Sequence, residues 1–381
     1  MTDAATSPTA PNAYSPSKAL YHAHHVADFH RHEFLHAPVH VQLILSDLCN
    51  QDCSFCAYRM TGYTSNELFT AGAELAAFGH NNPKRQITTA KAKEIIESCA
   101  ALGVQGIQFT GGGEPTVHPD CATLMHLAQA LGMKTALVTN GLLVNDRVLD
   151  VIGRSEWVRV SIDAGKAETY GRVRRVNASQ FERVRQSVRD ICRRRDALDK
   201  LTGHRVTTVG VGFVVTAENW MEIEDAAANA ALDGADNFRI SAVFQPDGSN
   251  YFDREWGYAA GQAAKRACGL STGNFTVHNL FGARVDDLQD GPPEYDRCGY
   301  QLLTTFIGAD LNVYRCCNTA YSTHGLLGSI KDQSFESFWR SEALFTKLKS
   351  FDARTCERCQ FNDRNRLLYH LTKEPVHAAF P

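Results

Sequence analysis

The 381-residue chain is 44% hydrophobic, long enough for one large domain plus a smaller one and apolar enough to bury a sizeable core. Its 39 basic and 42 acidic residues leave a formal net charge of -3, so no broad field attracts a polyanion or an anionic membrane. No apolar run approaches the roughly 20 residues needed to cross a bilayer, and the polar Pro/Ser/Ala-rich start lacks an export signal, which together predict a cytoplasmic protein without membrane contact.

Residues 1–37 read as a partly disordered lead-in. Seven of the 15 histidines fall between Tyr21 and His40 without the spacing of a common metal site, so a polar helix laid against the core is expected there. From residue 38, short β-branched runs alternate with amphipathic helical patterns, the signature of βα units and a parallel sheet. Strands are expected at 39–47, 106–111, 134–140, 157–163, 206–216 and 237–244, and helices at 89–102, 121–131, 145–152, 179–199 and 219–232. The fold class is therefore α/β, a partial (β/α)6 barrel over 38–285. Residues 61–86 are too long for a simple connection and read as a functional cover. Arg183, Arg185, Arg189 and the run Arg193-Arg194-Arg195 share a helix with acidic residues; a solvated face is expected, with nucleic-acid contact the alternative. After about Tyr251 the alternation stops. A hairpin over 302–316 turning at Gly308-Ala309-Asp310, a helix over 334–349 and a last Cys-x2-Cys make a small domain over 286–381.

The twelve cysteines of this long chain gather into two groups, which argues for metal ligation over disulfides. Cys99, Cys121, Cys192 and Cys268 stand alone in helical segments and read as small buried hydrophobes. Cys49, Cys53 and Cys56 form C-x3-C-x2-C directly after the first strand, at the end where barrel enzymes place their chemistry. Three thiolates hold three irons of a 4Fe-4S cluster and leave the fourth open, whereas a zinc site wants four closed ligands. Cys298, Cys316, Cys356 and Cys359 are four ligands, enough to close a site; their spacing alone fits zinc or iron-sulfur.

The segment Cys49-Asn50-Gln51-Asp52-Cys53-Ser54-Phe55-Cys56 resembles the signature of radical S-adenosylmethionine (SAM) enzymes, including the aromatic residue before the third cysteine. Thr110-Gly111-Gly112-Gly113-Glu114-Pro115 is similar to that family's GGEP motif, which contacts the SAM amino group. The resemblance implies that SAM binds the open iron and is cleaved by one electron to methionine and a 5′-deoxyadenosyl radical, which takes a hydrogen atom from substrate. It implies SAM contacts from Phe55, Gly112, Gly113 and Glu114, from Asn140 and Ser161 at the third and fourth strand ends, and from Arg174, with Arg172 and Arg175 as neighbouring choices. Asn140 and Ser161 are also good helix caps and turn formers. The fifth strand, at 209–214, packs on the adenine or belongs to the core.

The second cysteine group, with Leu327-Gly328-Ser329-Ile330 and Phe335-Glu336-Ser337-Phe338-Trp339 between its members, resembles the twitch form of the SPASM extension. That implies one auxiliary 4Fe-4S cluster, used for electron transfer or as scaffold. Cys317 is either an alternative ligand to Cys316 or a hydrogen-atom donor. The expected function is hydrogen abstraction from a small polar or nucleotide-like molecule, leading to dehydrogenation, epimerisation or rearrangement. A ribosomal peptide or an amino-acid-bearing nucleobase in phage DNA are alternative substrates, the peptide disfavoured by the short segment before the first strand. A flavodoxin or ferredoxin is the expected electron donor. A non-catalytic iron-sulfur or zinc protein is the reading from another class.

Overall fold

The computed structural model describes residues 13–34, 36–59, 68, 85–244, 251–253, 255–289 and 291–373. All but residues 68, 85 and 86 of the cover expected over 61–86 lie outside them. Helix α1 (Ala23–Arg31) carries part of the histidine-rich segment, and a 3-10 helix, Pro16–Tyr21, precedes it, so part of the lead-in has regular structure. Six βα steps follow: β1 (His40–Ile44), α2 (Thr89–Ala101), β2 (Gly106–Thr110), α3 (Cys121–Ala130), β3 (Lys134–Thr139), α4 (Asp146–Ile152), β4 (Trp157–Ser161), α5 (Ala167–Arg174), α6 (Gln180–Thr202), β5 (Thr208–Val215), α7 (Ile223–Leu232) and β6 (Asn237–Ala242). Caps begin these helices where sequence chemistry asks for them. Thr88 accepts a hydrogen bond from Lys91 N to start α2, and Asn145 one from Val148 N to start α4.

The alternation does not stop at Tyr251. A further helix, α8 (Glu255–Ala267), leads to β7 (Thr276–Asn279), which pairs parallel to β6 and is followed by α9 (Phe281–Gln289). This unit escaped the sequence reading because β7 has four residues and only Val277 is buried, too little for a strand pattern. Beyond α10 (Tyr300–Leu303), β8 (Thr304–Ile307) and β9 (Asn312–Tyr314) form the expected hairpin, joined by β10 (Leu326–Ser329). The helix expected over 334–349 is two, α11 (Phe335–Trp339) and α12 (Glu342–Lys349), because Ser341 caps the second by accepting from Leu344 N. Helix α13 (Asn362–His370) ends the described chain.

Among the described residues, ten strands form one sheet, in the order β10-β9-β8-β1-β2-β3-β4-β5-β6-β7. The C-terminal hairpin enters it through β8, which lies parallel to β1. Residues 41–44 of β1 are buried on both faces, as parallel strands covered by helices are. The strands curl around a shared space, since the ends of β2, β3, β4, β5 and β6 all line one cavity. The arginines of α6 are not simply a solvated face. Arg185 and Arg189 pair with Asp233 at 2.8 Å, and buried Arg195 with Asp236 at 2.8 Å, fastening α6 to the end of α7 and the start of β6.

Candidate active site

A cavity of about 330 Å³ sits at the C-terminal ends of the strands. Cys49, Cys53, Phe55, Cys56, Gly112, Gly113, Glu114, Asn140, Ser161 and Arg174 all line it. Residues distant in sequence are gathered there because each follows the end of a parallel strand. Cys49 and Cys56 are pushed up to about 11 by burial, with neighbouring triad thiols adding to the rise. Free thiols in that environment stay protonated until a metal displaces the proton.

The glycines serve the packing of two strand ends. A Cβ on Gly113 would stand 1.9 Å from the Leu48 carbonyl oxygen, and one on Gly112 2.2 Å from Asp47 Oδ1, so the Gly-Gly-Glu turn lies flush against the chain leading into Cys49. Glu114 locks the turn. Its Oε1 accepts from Thr116 N (3.1 Å), Thr116 Oγ1 (2.5 Å) and Thr139 Oγ1 (2.6 Å), and its Oε2 from Asn140 N (2.7 Å). Burial raises the Glu114 carboxyl above the usual range, and these four donors oppose the rise. Asn140 acts on the protein as well as facing the cavity. Its Nδ2 donates to Asn50 Oδ1 at 2.6 Å and its Oδ1 accepts from Leu142 N at 3.1 Å, the turn-forming role of an asparagine.

Arg174 is buried and paired with Asp163, donates to Gln51 Oε1 (3.2 Å) and Cys53 Sγ (3.4 Å), and lies 5.6 Å from the Phe55 ring centre. Of the three adjacent arginines it alone lines the cavity; Arg172 and Arg175 pair with Glu218 and Asp52 at the surface. Asp163 holds this position from a left-handed conformation, φ 59°, that Asp tolerates better than most residues. Arg59 is a side chain at the site that sequence reasoning did not single out. Its Nη1 bonds Gln51 O at 2.7 Å, while its Nε and Nη2 are buried without a partner and the side chain lines the cavity. Its signal was the placement of a cation three residues after Cys56. Sulfur donors with unpaired guanidinium N–H groups beside them suit an anionic thiolate-bound cluster.

The second group has the same composition. Cys298, Cys316, Cys356 and Cys359 interact electrostatically with one another, and burial raises all four thiols. Arg315 lies among them, its Nε buried without a partner and its guanidinium pushed down to about 10 by burial. Asn365 Nδ2 donates to Cys359 Sγ at 3.5 Å, and His324 Nε2 lies 3.4 Å from Cys356 Sγ. Cys317 Sγ accepts from Gln360 Nε2 at 3.4 Å and feels the charges of Cys316 and Cys359, and it is not among the described residues lining the triad cavity. Cys99, Cys121 and Cys192 are buried among apolar side chains, and half-buried Cys268 donates to Ala264 O.

Residues 43–230 match the model of the Radical SAM superfamily, and residues 298–360 that of the SPASM iron-sulfur cluster-binding domain. The mycofactocin maturase MftC of Mycolicibacterium smegmatis is 26% identical over 352 residues, spanning 87% of this chain and 78% of that protein. An S-adenosylmethionine-dependent nucleotide dehydratase of Flammeovirga pacifica is 32% identical over 130 residues, 34% of this chain and 40% of that one. In fold, the chain resembles Streptococcus suis SuiB bound to S-adenosylmethionine, with a TM-score of 0.60 at 16% identity over 89% of this chain and 77% of that one. No helix among the described residues is long and apolar enough to cross a membrane.

Proposed function

We propose, for a chain that belongs to the radical SAM superfamily and carries a C-terminal SPASM domain, that Cys49, Cys53 and Cys56 hold a 4Fe-4S cluster with one iron open to SAM. The observation that carries this is the single cavity shared by the three thiols, the Gly-Gly-Glu turn and the strand-end polar groups. Cys298, Cys316, Cys356 and Cys359 close a second 4Fe-4S site, with Cys316 the ligand and Cys317 outside it. The barrel domain expected over 38–285 then extends to the end of α9, and the auxiliary domain follows it.

A cluster held by Cys49, Cys53 and Cys56 with SAM at its open iron would supply one-electron cleavage of SAM and hydrogen-atom abstraction from substrate. The chain's own groups position the reaction. Gly112 and Gly113 keep the turn close to the cysteine loop, Glu114 fixes it and brings a carboxylate to the cavity wall for an ammonium, and Arg174 brings a cation to the triad. Asn140 and Ser161 offer polar atoms to the SAM ribose and methionine, and Phe55 gives an apolar wall.

The substrate favoured is a small polar or nucleotide-like molecule, a reading supported by likeness to an S-adenosylmethionine-dependent nucleotide dehydratase over 34% of this chain. A ribosomal peptide is the second reading, supported by likeness to a mycofactocin maturase over 87% of this chain. Electrons come from a small carrier such as flavodoxin or ferredoxin. Anaerobic reconstitution tests the core of the reading: roughly eight irons per chain are expected, with 5′-deoxyadenosine released on reduction with SAM. Alanine at Cys49, Cys53 and Cys56 together leaves roughly four irons and no cleavage. Intact SAM in the loaded, reduced wild-type protein overturns the proposal.

A further inference from the structure

Arg59 lies across the cysteine loop. Its backbone N–H donates to Cys56 O at 2.9 Å, folding the chain back after the third cysteine, and its Nη1 reaches Gln51 O at 2.7 Å and Asp52 Oδ1 at 3.2 Å between the first two. Its side chain is 6% exposed, lines the triad cavity, and is close enough for its charge to act on both Cys49 and Cys56. Arg174 stands at the remaining thiol, Cys53, at 3.4 Å. Each sulfur of the triad therefore has a guanidinium acting on it.

The two arginines differ in what they have left to donate. Every nitrogen of Arg174 has a protein partner: Nε meets Ile162 O at 3.5 Å, Nη1 meets Gln51 and Cys53, and Nη2 meets Asp163. Asp163 is buried with it, so that charge is matched inside the protein. Arg59 spends only Nη1. Among the described residues its Nε and Nη2 are buried without a partner, and the carboxylate it reaches, Asp52, is 49% exposed and shared with Arg175 at 3.3 Å. Charged donors left dry cost free energy that folded chains avoid unless something else accepts from them. The groups on which the Arg59 charge acts here are Cys49 and Cys56, which become thiolates when they ligate iron. Three thiolates make a 4Fe-4S cluster negative, and the electron that reduces it adds to that charge.

We propose that Arg59 sets the potential at which a cluster at Cys49, Cys53 and Cys56 takes up its electron, donating from Nε and Nη2 to cluster sulfur. The inference rests on the cluster assignment above. Hydrogen bonds from a cation to sulfur favour the more negative, reduced state and so raise the potential. Arg174, its charge already matched by Asp163, contributes less to that shift.

The test is an EPR-monitored redox titration of the anaerobically reconstituted full chain, run without SAM on wild type, Arg59→Gln and Arg59→Lys. A separate addition of SAM identifies the signal of the cluster with an open iron, since a closed four-cysteine site has no place for it. In Arg59→Gln the midpoint of that signal moves to more negative values, lowering the ratio of reduced to oxidised cluster at a fixed potential by about tenfold, as loss of a hydrogen bond to a charged group does. The auxiliary signal does not move. Arg59→Lys keeps the charge and loses the fork, so it shifts the same midpoint in the same direction by less, and it decides the matter if Arg59→Gln fails to hold iron. SAM affinity, read by calorimetry, stays at the wild-type value in both. An unmoved midpoint in a fully loaded variant overturns the inference, and so does weaker SAM binding without a shift, which assigns the two nitrogens to the SAM carboxylate. Loss of iron from Arg59→Lys as well overturns it too, because the residue then builds the loop and tunes nothing. A wild-type protein without any SAM-sensitive signal overturns the cluster assignment itself, whereas a SAM-sensitive signal indifferent to Arg59 overturns this inference alone.

Discussion

The Tyr321 hydroxyl donates a 2.6 Å hydrogen bond to Asp47 Oδ1, tying the SPASM domain to the segment two residues ahead of Cys49. Both side chains are buried, and Arg85 Nε holds the other Asp47 oxygen at 2.6 Å. The same hydroxyl accepts from Ala309 N at 3.1 Å, so Tyr321 joins the β8–β9 turn to the triad loop. Tyr321→Phe leaves a buried acceptor and a buried donor each short of a partner, a loss of about 1–3 kcal/mol per group. Urea unfolding should show a lower midpoint with an unchanged slope; an unchanged midpoint would show that this strut contributes nothing to stability.

Gly113→Ala is expected to be severe. Its Cβ meets the Leu48 carbonyl oxygen at 1.9 Å and the Asp47 carbonyl carbon at 2.5 Å, both backbone atoms with no rotamer to yield. Overpacking of this kind costs about 3 kcal/mol or more, and the shift falls on the loop carrying the triad, so iron retention should drop with stability. Gly269→Ala, where nothing lies within 4 Å, is the control and stays near wild type.

The six predicted strands were legible because each has enough β-branched residues to set a pattern, and the site was legible because C-x3-C-x2-C and Gly-Gly-Gly-Glu are local strings. Short, polar β7 carried no such signal. Arg59, Arg315 and Arg239 were hidden for another reason: what distinguishes them is an unpartnered nitrogen in a buried place, a property of packing. The glycine turn resembles a motif that contacts SAM, yet the nearest obstruction to a side chain at Gly113 is protein backbone. Likewise, ordinary spacing could not choose between Cys316 and Cys317, because the choice depends on where each thiol points.

Acid should destabilise the fold through His40, whose imidazole burial pushes down to about 4. Between that value and the usual value near 6.5, the unfolded chain binds a proton that the folded chain refuses. Stability therefore falls as pH drops from 6.5 towards 4. His40→Gln should flatten part of that slope in unfolding measured across the range; an unaltered slope would assign it to other groups.

Arg315 should tune the second cysteine group. It packs 3.9 Å above the Phe351 ring, donates to Gln301 Oε1 at 2.7 Å, and feels the charges of Cys298, Cys356 and Cys316. Arg315→Met removes one positive charge beside four thiolates while keeping much of the volume. A cluster bound there becomes harder to reduce, so its potential moves to more negative values in an EPR-monitored redox titration. An unmoved potential in a protein with full iron content would remove Arg315 from the electrostatics of that site.

Asp163→Asn probes the buried pair that holds Arg174 at the triad. Removing one partner of a buried ion pair costs about 3–5 kcal/mol, because the remaining charge is left without compensation. Arg174 has a second source of compensation in Cys53, whose Sγ lies 3.4 Å from its Nη1. That sulfur is an anion when it ligates iron and an uncharged thiol when it does not, so the loss should depend on loading. Thermal unfolding of wild type and Asp163→Asn, each with and without iron, should show a larger drop in midpoint for the iron-free pair. An equal drop in both forms would mean that the thiolate carries no share of the Arg174 charge, and that Asp163 alone keeps this cation beside the cluster cysteines.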